Sequence, residues 1–141
     1  MLMSGKRIFC HAADDNHNRE SFDAPDSDSF GGFTMILADE LSYDGVFKAL
    51  ENGSFYASSG PEIFELTFDG TKVHIETSAA RQITMLAGAK ICKRACGTAS
   101  SPITSADFEI SDLAPYVRFD VYDFEGNHAN TRAFFRDELG I

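Results

Sequence analysis

A carboxylate and an imidazole stand two residues apart at Asp15 and His17, just after the apolar run Arg7-Ile-Phe-Cys-His-Ala-Ala13. An apolar run without polar alternation predicts a strand buried on both faces. Side chains just beyond such a strand reach the point where parallel barrels and open α/β sheets build their sites. Oxygen and nitrogen donors side by side suit zinc, manganese or iron. The bland alternative is a loop in which the aspartate closes an Asx-turn.

The elements that must position this pair follow in order. From Asp14 to Asp28 the chain carries six carboxylates against the single Arg19, with Pro25 and several serines. That composition predicts a solvated loop. Gly31-Gly32 then leads into Phe33-Thr-Met-Ile-Leu-Ala38, a second buried strand. Tyr43, Val46, Phe47 and Leu50 repeat at helical spacing behind Ser42, a good N-cap, and Asp44, which suits the positive end of the dipole. Gly53 predicts a left-handed C-cap. With Ser54-Phe-Tyr-Ala-Ser58 as the next strand, the order β-α-β predicts a parallel sheet with a right-handed crossover.

Past Pro61 the period changes to two. Phe64, Leu66 and Phe68 alternate with polar residues, Asp69-Gly70 marks a hairpin, and Val73 and Ile75 continue the alternation. The same pattern returns at Ile83 and Met85, at Phe108 and Ile110, and at Val117, Phe119 and Val121. Glu125-Gly-Asn127 turns the chain into Thr131-Arg-Ala-Phe-Phe135. Half-buried strands at short spacing, with no helix between them, predict an antiparallel β-sandwich. The fold class expected is therefore mainly β (α+β), divided into residues 1–61 and 62–141.

Twelve basic side chains against 22 acidic ones give a formal charge of -10. A surface of that sign repels phosphate backbones, which argues against nucleic-acid binding. No run of apolar residues is long enough to span a membrane and the start is too quickly polar for a signal peptide, so the expected location is cytoplasmic. Cys10, Cys92 and Cys96 complete no zinc pattern and are expected as free, partly buried thiols.

The succession Asp14-Asp15-Asn16-His17-Asn18, acidic loop, Gly31-Gly32-Phe33, Ala49-Leu50-Glu51-Asn52-Gly53 and Ser54-Phe55-Tyr56-Ala57-Ser58-Ser59-Gly60-Pro61-Glu62-Ile63 resembles the C-terminal part of a PHP-superfamily (polymerase and histidinol phosphatase-like) phosphoesterase. Tyr116-Val-Arg-Phe-Asp-Val-Tyr-Asp123 with Gly126 is similar to the family's closing strands, so the resemblance covers nearly the whole chain. It implies the end of a catalytic barrel joined to a β domain. It also implies divalent metals that activate water against a small phosphorylated substrate, with Asp15 and His17 as two of the metal ligands. Asp14 would orient a ligand or a water from behind.

In an extended strand His11 points the same way as Asp15. It is expected as a hydrogen-bonded core histidine ahead of an extra ligand. Ser58 and Ser59 offer hydroxyls to a phosphate, or else a tight connection between two units. His74 and His128 read as surface residues, and Arg118 as the partner of an acidic neighbour.

The resemblance also defines what this sequence lacks. The family's other ligands have no counterpart among the four histidines, and two ligands fall short of a catalytic metal site. No catalytic residue is assigned, and the chain alone is expected to be inactive. The alternative is a β-sandwich binding or oligomerisation module without metal or catalysis. A carbohydrate-binding sandwich is disfavoured by the absence of Trp. Unpartnered apolar residues, Ile8, Phe9, Met35, Ile36 and Phe47 among them, predict folding back on the sandwich or a homo-oligomer.

Overall fold

The computed structural model describes every residue except Asn18, Ala89 and Lys90. Its strands are β1 (Phe33–Ile36), β2 (Phe55–Ser58), β3 (Ile63–Asp69), β4 (Lys72–Ala80), β5 (Gln82–Ala87), β6 (Ile91–Cys96), β7 (Ile103–Glu109), β8 (Tyr116–Tyr122), β9 (His128–Thr131) and β10 (Phe134–Phe135). Helix α1 (Tyr43–Asn52) lies between β1 and β2, and α2 (Arg136–Leu139) closes the chain. The strands form two antiparallel sheets. One has seven strands in the order β1-β2-β9-β8-β5-β6, with β10 also on β8; the other has three, β3-β4-β7. Among the described residues no helix is long and apolar enough to cross a membrane.

Period-two alternation aims one side of each sheet at the other. Val73, Ile75 and Phe108 from the smaller sheet meet Ile83, Met85, Val117, Phe119 and Val121 from the larger in one buried cluster. The Phe119 ring sits 6.4 Å from Phe68 and 6.1 Å from Phe108, so one side chain of β8 touches two strands of the opposite sheet. The Tyr56 hydroxyl of β2 accepts the amide of Ile63 at 3.0 Å, a polar link from sheet to sheet. Burial first of all pushes the Tyr56 hydroxyl above its ordinary pKa. Gly70, in the left-handed region at φ 58, closes the β3–β4 hairpin expected at Asp69-Gly70. Among the described residues none before Tyr56 contributes to this main cluster.

Helix α1 is capped as its sequence predicts. Ser42 accepts the Gly45 amide at 3.0 Å, and Gly53 ends the helix at φ 70 with its N–H directed to Ala49 and Leu50. The direction of the strands around it differs from expectation. β1 and β2 are antiparallel, with Phe33 opposite Ser58 and Ile36 opposite Phe55. The Leu37 amide bonds the Ser54 carbonyl at 2.8 Å, so the helix is an insertion in a hairpin loop pinned at its base. A parallel crossover would have to return the chain to the start of β1; the short hairpin closure needs no such return.

The apolar run from Arg7 to Ala13 also departs from expectation, because it forms no strand. Its described polar tie to the sheet is to a side chain: Thr34 Oγ1 accepts the Ala12 amide at 3.1 Å and donates to the Ala12 carbonyl at 3.0 Å. The segment thus lies on the sheet instead of within it. Phe9 packs edge-on against Phe55 with centroids 6.0 Å apart, and His11 is exposed instead of lying in a core. The three cysteines are free, and all are exposed instead of partly buried. Cys92 and Cys96 lie on β6, an outermost strand with one sheet neighbour, which leaves one side uncovered.

A Cβ on Gly53 would meet the Phe9 ring at 2.5 Å and Arg132 Cδ at 2.9 Å, besides the strain of its positive φ. Gly53→Ala is expected to destabilise the fold by about 1–3 kcal/mol in urea denaturation. An unchanged midpoint would mean that Phe9 does not pack there in solution.

His74 Nδ1 lies 2.8 Å from Asp107 across the β4–β7 register, and Nε2 lies 3.5 Å from Glu76. The hydrogen bond with Asp107 first, then that with Glu76, raises the imidazole pKa above 6.5. Since the folded value is the higher one, the associated stability is complete below the unfolded pKa and lost as pH rises through the folded pKa. A histidine NMR titration should place His74 above 6.5, with Asp107→Asn moving it down. A wild-type midpoint at or below 6.5 contradicts this geometry.

Candidate functional site

The chain bends sharply at the residues singled out for metal chemistry. Asp15 is in the left-handed region at φ 53, a conformation that aspartate tolerates better than most residues. The bend breaks the extended run, so His11, Ala13 and Asp15 do not continue as one strand face. Asp15 and His17 are both exposed. Asn18, next in the run, lies outside the described residues.

Two carboxylates cross-link the loop that follows. Asp14 Oδ2 accepts the Phe30 amide. Asp28 Oδ2 accepts the His17 amide at 2.9 Å and stands 3.8 Å from His17 Nδ1. The other Asp28 oxygen is buried and has no hydrogen-bond partner among the described residues. The local arrangement gathers Asp28 beside His17, an acid that sequence spacing alone did not single out. Asp14 acts on the backbone across the loop neck. Among the described residues no three or more His, Cys, Asp or Glu side chains form a group able to hold a metal ion.

The Ser58–Pro61 connection is built from its own hydroxyls. Ser58 is buried; its Oγ donates to the Pro61 carbonyl at 2.7 Å and accepts the Gly60 amide at 3.0 Å. Ser59 Oγ accepts the His128 amide at 3.0 Å and donates to the His128 carbonyl at 3.3 Å. Both hydroxyls thus tie the turn to itself and to β9. A Cβ on Gly60 would lie 2.8 Å from Asn127, so glycine allows this turn to sit against the β8–β9 loop.

The most buried charge of the larger sheet lies elsewhere. Val117, Phe119 and Val121 face the core, so Arg118 and Asp120 face away from it. Asp120 is nonetheless only 6% exposed. Its Oδ1 accepts from Arg118 at 2.9 Å and from Asn130 Nδ2 at 2.7 Å. Thr84, opposite Asp120 on β5, is also buried and accepts from Gln82 at 2.8 Å. The acidic partner expected for Arg118 is thus Asp120, two residues along the same strand face. Asn130 joins only through the β8–β9 register, which sequence spacing does not reveal.

Comparison with family models, curated proteins and solved structures finds no match for this chain.

Asp120→Ala would leave Asn130 and a half-buried Arg118 without their shared acceptor. The expected loss is about 1–3 kcal/mol in urea denaturation at neutral pH, with Asp120→Asn losing less. A wild-type midpoint in Asp120→Ala would show the cluster to be dispensable for folding.

Proposed function

We propose that this chain is the C-terminal part of a PHP-type metal-dependent phosphoesterase and is by itself catalytically silent. What supports the reading is the resemblance carried by Asp14-Asp15-Asn16-His17-Asn18 and the run from Ser54 to Ile63, with Asp15 and His17 both exposed. The sequence resemblance is what supports the family, and a count of two ligands is what supports the silence. A catalytic zinc uses three protein ligands and keeps a fourth position open. Asp28 beside His17 is already engaged with the loop backbone. Asp15 and His17 would hold the implied zinc, manganese or iron only weakly and complete no catalytic centre by themselves, and no hydrolytic step is derived from them. Complete chemistry on a small phosphorylated molecule would need ligands from outside these 141 residues.

The second reading is an assembly or binding module without metal. It is favoured by the engagement of the Ser58 and Ser59 hydroxyls in the turn itself and by an apolar surface on β1 and α1.

Calorimetric titration with manganese and with zinc separates the two. Under the first reading the chain binds metal weakly, Asp15→Ala or His17→Ala weakens it further by at least about tenfold, and p-nitrophenyl phosphate is not hydrolysed. Binding indifferent to both substitutions leaves the assembly reading alone.

A further inference from the structure

The exposed large apolar side chains are concentrated in one short stretch of chain. Leu37 is 79% exposed and stands at the end of β1 beside Met35 and Ile36, both also exposed. On the helix side Leu41 is 99% exposed and Tyr43 81%, with Phe47 and Leu50 on the same stripe. Helix α1 is thus turned outward. It buries Ala49 and presents its apolar face, with Tyr43 and Phe47 stacked 5.9 Å apart. Met35, Ile36 and Leu37 line a groove of about 390 Å³ that runs to Phe64 and Phe134. The stripe on α1 lines a second, of about 420 Å³.

The terminal strands of the two sheets differ in a way that bears on this surface. β6 carries Lys93 and Arg94. β3 carries Glu65 and Asp69 and an irregular register between Ile63 and Glu65. β7 carries Asp107 and Glu109. Charges and bulges of this kind protect an edge from pairing. β1, Phe33-Thr-Met-Ile36, has no charge, no proline and no bulge, and its ladder partner is on one side only. Leu37 donates to Ser54, so by antiparallel alternation the amides of Thr34 and Ile36 point to the open side.

We infer that β1 and α1 form a self-pairing surface, through which a second copy of this chain docks by antiparallel β1–β1 pairing about a two-fold axis. An antiparallel edge pair is self-complementary under a two-fold, as a closed dimer requires. At ~200 Å² for a fully exposed large apolar side chain, the exposed apolar side chains of β1, α1 and the turn between them together offer roughly 800 Å². That is about what one partner contributes to a stable interface. The rim carries Asp39, Glu40 and Asp44 against Lys48, so two copies bring acidic rims together. Salt screens that repulsion, and the dimer tightens with ionic strength. The inference gives the assembly reading its surface and partner, and it stands whether or not Asp15 and His17 bind metal.

Sedimentation equilibrium of the full chain tests it, with circular dichroism to confirm folding. The expected result is a monomer–dimer equilibrium tighter than about 10 µM that strengthens with salt. Tyr43→Glu and Met35→Lys, both at exposed positions, should each weaken it at least about 100-fold, while Leu113→Asp, at an equally exposed leucine elsewhere, should not. In the wild type, exchange of the Ile36 amide should slow as protein concentration rises. A monodisperse monomer at about 100 µM overturns self-pairing and leaves the surface to a different polypeptide. A dimer indifferent to both substitutions, or an open-ended series of oligomers, overturns it as well. Metal titration of Tyr43→Glu, unchanged from wild type, keeps this outcome separate from that of the ligand pair.

Discussion

The three-stranded sheet covers only part of the inner face of its seven-stranded partner, and the main core ends where that cover ends. Its buried members come from β4, β5, β7, β8 and β9 and from the turns between them, and Tyr56 of β2 packs at its margin. Beyond it Met35 of β1 and the apolar stripe of α1 are left exposed. Apolar side chains with nothing opposite them account for the outward α1 stripe, the groove at Met35 and the neutral edge of β1 together. A sheet is stable when each apolar face is covered, and unequal sheets leave a strip that other matter must cover.

Legibility in the sequence follows the same division. Where both faces of a strand are decided by one sandwich, alternation reads correctly: Val73, Ile75 and Phe119 go in, and His74 and Arg118 stay out. Local chemistry reads correctly too, since a cap or a hairpin glycine depends on neighbours a few residues away. Strand direction does not. The order of elements is the same for a parallel crossover and for a hairpin with a helix in its loop. The choice rests on the Leu37–Ser54 bond and on β2 pairing with β9, whose residues lie more than 70 positions downstream. The run Arg7 to Ala13 misleads for a related reason. Its apolarity goes with half-burial of Ile8 and Phe9, the latter against Phe55, which carries no information about a ladder.

The candidate site was legible in its residue types more than in its geometry. Asp15 and His17 follow from spacing, but spacing assumes an extended chain, and the left-handed backbone of Asp15 interrupts it. Asp28 meets His17 only because the acidic loop folds back on itself, an event with no periodic signature. The charged cluster around Asp120 was half visible: Arg118 and Asp120 are two apart on one strand, while Asn130 requires knowing which strands are neighbours. Ser58 and Ser59, read as a phosphate cradle or a tight connection, hold the chain between β2 and β3 in a turn bound to β9.

The uncovered strip and the loop that carries Asp15 and His17 are parts of one mechanical unit. Asp14 grips the Phe30 amide only three residues before β1, and Thr34 of β1 grips Ala12 just before Asp14. The position of Asp15 and His17 is therefore set by β1 at both ends of the loop. A helix of ten residues is shorter than those that persist alone in water, so α1 depends on its caps and on what it packs against. Covering the β1–α1 surface would stiffen β1 and, through these two contacts, the bend that carries the candidate ligands. Left uncovered, the strip leaves the bend at Asp15 and His17 tied to β1 through the Thr34–Ala12 and Asp14–Phe30 contacts.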